Sequence, residues 1–202
     1  MNVLRLVAAA VIAVALAACS IGKPIPTATT YVVEPPPPAA ATTRRPETLR
    51  MGDVRVAPAF SGNALVYRLG DVQYRSDFYN AFIAEPGGLL GSKIAEWLDR
   101  AGPFQVVAQP GTPGSASYVL DATVTELYGD FRPGRTPSAV MTIQFTLVDL
   151  RGIRPTPALE RSIGRRVELA QDSPDALVRG YGQALGQILA ELAPQMTNVS
   201  AR

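Results

Sequence analysis

Tyr118-Val119-Leu120-Asp121-Ala122-Thr123-Val124-Thr125-Glu126-Leu127 and Ala139-Val140-Met141-Thr142-Ile143-Gln144-Phe145-Thr146-Leu147-Val148-Asp149 alternate apolar and polar residues along most of their length. A period of two places every second side chain on one face of an extended chain. In the second segment Ala139, Met141, Ile143, Phe145 and Leu147 share a face, and Thr142, Gln144 and Thr146 share the other. The pair therefore predicts two long strands in a sheet that is apolar on one side and wet on the other. Such a sheet needs a second layer over its apolar side.

Two amphipathic segments supply that layer. In residues 88–101, Leu89, Leu90, Ile94, Trp97, Leu98 and Ala101 fall on one helical face, opposite Lys93, Glu96, Asp99 and Arg100, and Gly102-Pro103 stops the helix. Trp97 reads as a core residue. Further on, Asp172-Ser173-Pro174-Asp175 offers an N-cap, a first-position proline and a first-turn acid. Leu177, Tyr181, Ala184, Leu185, Ile188, Leu189 and Leu192 make that helix's apolar stripe, and Pro194 is expected to end it. Gly182 and Gly186, four apart, permit close approach of another backbone, from the sheet or from a second subunit. Shorter strands are expected at 53–57, 64–68, 72–75, 104–108 and 161–170, with Leu69-Gly70-Asp71 as a turn. The fold class that follows is α+β, a two-layer sandwich of a mainly antiparallel sheet with two amphipathic helices on one face.

The composition narrows the chemistry. Histidine is absent, which removes Ser-His-Asp triads, Cys-His pairs and His-based zinc sites. Cys19 is the only cysteine, and Lys23 and Lys93 are the only lysines. Ser92 and Lys93 are adjacent on a helix, about 100° apart, so they cannot share a proton as a dyad. The run from Pro86 to Lys93 ends Gly-Ser-Lys, and a phosphate-binding loop requires Gly-Lys-Ser/Thr. No enzyme activity, cofactor or metal is expected. From Met51 onward there are 14 basic and 15 acidic residues, a balance that gives no footing for nucleic acid.

The N-terminus is an address. Residues 1–18 carry one basic residue, Arg5, then an unbroken apolar run, with Leu16-Ala17-Ala18 before Cys19. This is similar to a bacterial lipoprotein signal peptide, and the run is too short to span a bilayer. By that resemblance Cys19 receives acyl chains, each buried methylene contributing about 0.8 kcal/mol, and Ser20 after it directs the protein to the periplasmic face of the outer membrane. Residues 19–50, with four successive prolines at 35–38, read as a tether with about 30 Å of mean reach and about 90 Å if fully extended. Residues 51–202 are expected to form the domain.

Beyond the signal, Leu65-Val66-Tyr67-Arg68, Tyr74, Tyr79, Phe82, Glu85-Pro86 with Leu89-Leu90, Leu98, Phe104-Gln105-Val106, the threonine-flanked strands and the Leu-rich last helix form a pattern. It resembles the auxiliary lipoproteins of MCE-type ABC transport systems, of the paraquat-inducible C type, which usually carry tryptophan where Phe82 stands. The resemblance implies a noncatalytic outer-membrane subunit that works with an MCE-domain protein, a permease and an ATPase in moving lipids; a homo-oligomer stays open. Two other readings stand beside it: a tethered lipoprotein that activates a peptidoglycan synthase, and a lipid carrier with its own cavity. For a partner surface, residues 129–137 carry Phe131, Arg132 and Arg135, residue types enriched at binding hot spots. Tyr79 and Phe82 form a second candidate patch. An ordinary solvated hairpin tip and a pair of core-capping aromatics are the alternatives for these two.

Overall fold

The computed structural model describes residues 27–39, 44–109 and 111–199; the expected signal peptide, Cys19 and the first residues of the expected tether lie outside them. In chain order the elements are β1 (Thr29–Tyr31), β2 (Arg45–Val56), β3 (Ala64–Arg68), β4 (Tyr74–Phe82), α1 (Pro86–Ala101), β5 (Phe104–Ala108), β6 (Tyr118–Asp130), β7 (Ser138–Asp149), β8 (Thr156–Glu168) and α2 (Pro174–Thr197). Among the described residues the strands make one eight-stranded sheet.

The segment read first from the sequence is its spine. β6 pairs antiparallel with β7 from Tyr118 opposite Asp149 to Asp130 opposite Ser138, and β7 pairs antiparallel with β8. These two ladders are the longest, so most paired residues are antiparallel. The other edge of β6 is shared: β2 runs parallel to its first half, with Leu49 opposite Tyr118, and β3 runs parallel to its end, with Tyr67 opposite Gly129. Outside β2 lies β5; outside β3 lie β4 and then β1. A register shift between Val124 and Glu126 flips the pleat. Before it Tyr118, Leu120, Ala122 and Val124 are buried in the main core, and after it Leu127 takes the inward position.

Both helices close the apolar face. Ile94 and Leu98 of α1 and Tyr181, Leu185 and Leu189 of α2 join Leu120, Ile143 and Phe145 in one continuous core, the α+β two-layer sandwich expected. A small second cluster of Val66, Tyr128 and Val140, with Phe60 beside it, lies apart from that core. There the Arg68 guanidinium sits 5.6 Å from the Tyr74 ring and 5.9 Å from the Tyr128 ring.

Two expectations need correction. The folded body does not begin at Met51. Arg45–Arg50 belong to β2, Leu49 is fully buried, and Arg45 donates to Glu47, to the Tyr118 hydroxyl (3.0 Å) and to the carbonyls of Met196 (3.2 Å) and Val199 (2.9 Å). Earlier still, Thr29–Tyr31 pair with β4, and the proline run lies against both helices. The second correction is Pro194, which sits inside α2. The helix continues to Thr197 because its last turn is held from outside, by the buried Met196 side chain and by Arg45 at the Met196 carbonyl.

Candidate interaction surfaces

Residues 27–39 form an arm across the helical layer. Tyr31 lies opposite Phe82 of β4, and the Tyr31 carbonyl accepts from the Ile83 amide. Val33 is completely buried. The chain then passes over α2 where that helix has no side chains to obstruct it: a Cβ on Gly182 would stand 2.2 Å from the Glu34 carbonyl oxygen, and one on Gly186 would stand 2.8 Å from Pro36. The partner of the glycine pair is thus the protein's own arm. On the α1 side Trp97 Nε1 donates to the Pro36 carbonyl at 3.1 Å, and Lys93 bridges Glu34 and Glu96. Prolines suit this path, since an extended run presents carbonyls to a neighbouring indole and needs no amide partners of its own.

The loop after β6 is held from several sides. Asp130 is fully inaccessible to solvent; Arg132 grips it through two nitrogens at 2.9 and 2.7 Å, and Arg166 of β8 adds a third contact at 2.7 Å. The Arg132 contact first, and then Arg166, hold the Asp130 carboxyl well below the usual carboxylate range. Phe131 folds back over Gly129, packs edge-on against Tyr67 at 5.4 Å, and donates its amide to the Arg68 carbonyl. Phe131 and Arg132 therefore shape the loop from inside. Arg135, one residue past the positive-φ Gly134, is exposed.

The second sequence candidate divides. Phe82 is core, 3% exposed and 6.1 Å from the Tyr181 ring, so it has no surface to offer a partner. Tyr79 stands on an irregular stretch of β4: Ala64 faces Ala81 while Val66 faces Ser76, which leaves 77–80 bulging from the ladder. Asp77 organises the bulge. Its carboxylate accepts from the Tyr79 and Asn80 amides, the Asn80 side chain and the Tyr67 hydroxyl, the last at 2.6 Å. Burial would raise the Asp77 carboxyl, but these donors outweigh it and hold it below its ordinary value. Sequence reasoning missed Phe78, 88% exposed and stacked edge-on against Tyr79 at 5.1 Å. The available signal was Asp77-Phe78-Tyr79-Asn80 itself, where two adjacent aromatics break the alternation of β4 between two side chains that favour local backbone bonds.

Tyr67 joins the two patches, with Phe131 on its ring and Asp77 on its hydroxyl. Between them lies a cavity of about 340 Å³ bordered also by Arg75 and Asp172. Among the described residues no group of histidine, cysteine or acidic side chains is placed to hold a metal, and no helix is long and apolar enough to cross a membrane.

No curated protein is a significant sequence match to the chain. Among solved structures, a Xanthomonas campestris protein of family DUF330 superposes with a TM-score of 0.67 at 16% identity, over 85% of this chain and 93% of that one. An uncharacterized protein superposes at 0.65 with 21% identity, over 84% and 99%. A hypothetical protein of Chlamydia trachomatis gives 0.51 with 13% identity, over 77% and 98%. At these identities the likeness concerns the fold alone. The family model that matches runs from residue 31, in the arm, to residue 193, in α2, and on that span the chain belongs to the family of ABC-type transport auxiliary lipoprotein components.

Proposed function

We propose that the protein is the noncatalytic, periplasm-facing lipoprotein subunit of an MCE-type ABC transport system, anchored in the outer membrane through acylated Cys19. It docks the lipid-conducting assembly of an MCE-domain protein, its permease and its ATPase to that membrane, and so supports membrane integrity. The observation that carries this reading is the family match over residues 31–193, which takes in most of the arm and runs into α2. A chain without histidine, whose only cysteine precedes the folded body, fits a binding role. Of the sequence candidates, Tyr79 and Arg135 keep exposed surface, and Arg135 offers it to the partner on a loop whose shape Asp130, Phe131 and Arg132 fix in advance. Preorganisation of this kind lowers the ordering cost of association.

The test is affinity capture of the full lipidated chain from solubilised envelopes, followed by identification of what accompanies it. Co-recovery of an MCE-domain protein, reduced in Arg135→Glu, is expected. Recovery of a peptidoglycan synthase in its place would establish the alternative. Fractionation of Cys19→Ala tests the anchor separately: the variant is expected to leave the outer membrane.

A further inference from the structure

The arm changes the distance between anchor and domain. Thr29 is already paired opposite Asn80 in the sheet, so it stands only ten residue steps beyond Cys19. At up to about 3.5 Å per residue these cover at most about 35 Å, much less than the span of a free 32-residue tether. The chain also enters the body at one place. Thr29 lies opposite Asn80, the residue after Phe78-Tyr79, and β1 ends where Ile83 donates to Tyr31.

That entry point is flanked by exposed apolar residues of β4 and of the positions just after β4 and β1. Phe78 is 88% exposed, Ile83 61%, and Tyr79 and Val32 about 40%. Of the other exposed apolar side chains, Val72 and Ile153 stand on turns, Val106 on β5 at the opposite edge of the sheet, and Tyr74 at the start of β4. Nothing in the core requires Phe78 to be aromatic: it points outward, held on a bulge that Asp77 builds with its hydrogen bonds. Phe, Tyr and Ile next to the attachment point of a lipid anchor are the residue types that settle at the headgroup level of a bilayer.

We propose that the bulged β4 edge, Phe78 and Tyr79 with Ile83 and Val32, rests in the phospholipid interface of the membrane that holds the anchor. The domain is thereby oriented with β4 and β1 toward the membrane. The inference rests on Cys19 being the anchor. Acyl chains supply the attachment, and the patch supplies the orientation. The exposed flanking charges, Arg75 and Glu85, are of opposite sign, so the seating is apolar and should persist at raised salt.

Cys19 is consumed by its acyl chain, so an introduced cysteine is the only free thiol. Full-length lipidated Phe78→Cys and Ile153→Cys proteins, each carrying a nitroxide, are reconstituted into vesicles of phosphatidylethanolamine with a minority of phosphatidylglycerol. Position 153 follows β7, at the end of the sheet opposite the pairing of β6 with β3. The label at 78 is expected to meet dissolved oxygen several-fold more, relative to a water-soluble nickel chelate, than the label at 153. Equal, aqueous values at both positions on vesicle-bound protein would overturn the seating. So would dipolar broadening at 78 that vanishes on dilution with unlabelled protein, because a second copy would then cover the patch. Flotation of Cys19→Ser with the vesicles as efficiently as the lipidated chain would overturn the anchor reading on its own, whatever the labels report.

Discussion

The arm of residues 27–39, largely irregular beyond β1, and the loop of residues 130–137 are both proline-bearing segments that their own sequences present as free. Both are pinned, by different physics. The arm is held by fit: a buried valine, a carbonyl on an indole, and two glycines that leave a notch in α2. The loop is held by charge: a sealed carboxylate between two arginines, one local and one from β8. In each case part of the hold comes from elsewhere in the chain: Gly182, Gly186 and Trp97 for the arm, Arg166 and Tyr67 for the loop. Low complexity in a segment measures what it can do alone, and says little about a groove waiting elsewhere in the chain.

The comparison breaks most readily at Asp130. Removing the buried carboxylate takes from Arg132 its two closest contacts, although Arg132 keeps Asp71 and Arg166 reaches solvent; Asp130→Ala should cost about 2–3 kcal/mol, whereas at a solvated hairpin tip such a change stays within about 0.5 kcal/mol. Urea unfolding monitored by circular dichroism separates the two. The same group sets a pH dependence. Its folded-state value is depressed, so its contribution is complete above the ordinary aspartate value of about 4. It is lost as the pH falls from there toward the depressed value. Wild type should thus lose stability in acid below about pH 4, and Asp130→Ala should show a flatter profile over that window. On the arm, Val33→Ala should cost about 2 kcal/mol; in a free tether it would cost nothing measurable.

How much was legible follows from the same contrast. The sandwich, both helices, the N-cap of α2, where the Ser173 hydroxyl accepts from the Ala176 amide, and the β6–β7 pair are readable because each writes its periodicity or capping residue into a single stretch of sequence. The arm was not, because β1 is three residues long and Val33 is one apolar position among prolines. The glycine pair in α2 did signal a close neighbour; only the neighbour's identity needed the fold. Arg45 looked like a tether charge for want of any local sign that it would cap the far end of α2. Of the candidate residues, Tyr79 and Arg135 are exposed, whereas Phe82 is buried and Phe131 and Arg132 turn inward; an aromatic in a connecting segment looks the same from sequence whether it turns in or out.

Gly182→Ala tests the arm by sign. In a helix open to solvent the change stabilises by about 1 kcal/mol through helix propensity. Here the added Cβ meets the Glu34 carbonyl, which must move, and overpacking of that kind costs about 1–3 kcal/mol. The net expectation is a loss of about 1 kcal/mol together with partial release of the arm. Trp97, the only tryptophan and bonded to Pro36, reports the release: its emission should shift to the red and its quenching by acrylamide should rise. A stabilised protein with unchanged emission would mean the arm does not lie on α2.

The smallest effect is expected at Glu34, and it decides which force holds the arm. Its side chain is 64% exposed where it meets Lys93, a setting in which an ion pair contributes about 0.5 kcal/mol or less and fades with salt. Lys93 also keeps Glu96 as a second partner three residues along α1, so losing Glu34 leaves no buried charge unmatched. Glu34→Gln should therefore leave Trp97 emission unchanged and lower the unfolding midpoint only slightly, and only at low ionic strength. Release of the arm by Glu34→Gln, at a level comparable with Gly182→Ala, would make the arm a charge-held strap like the loop around Asp130, and the contrast between the two segments would collapse.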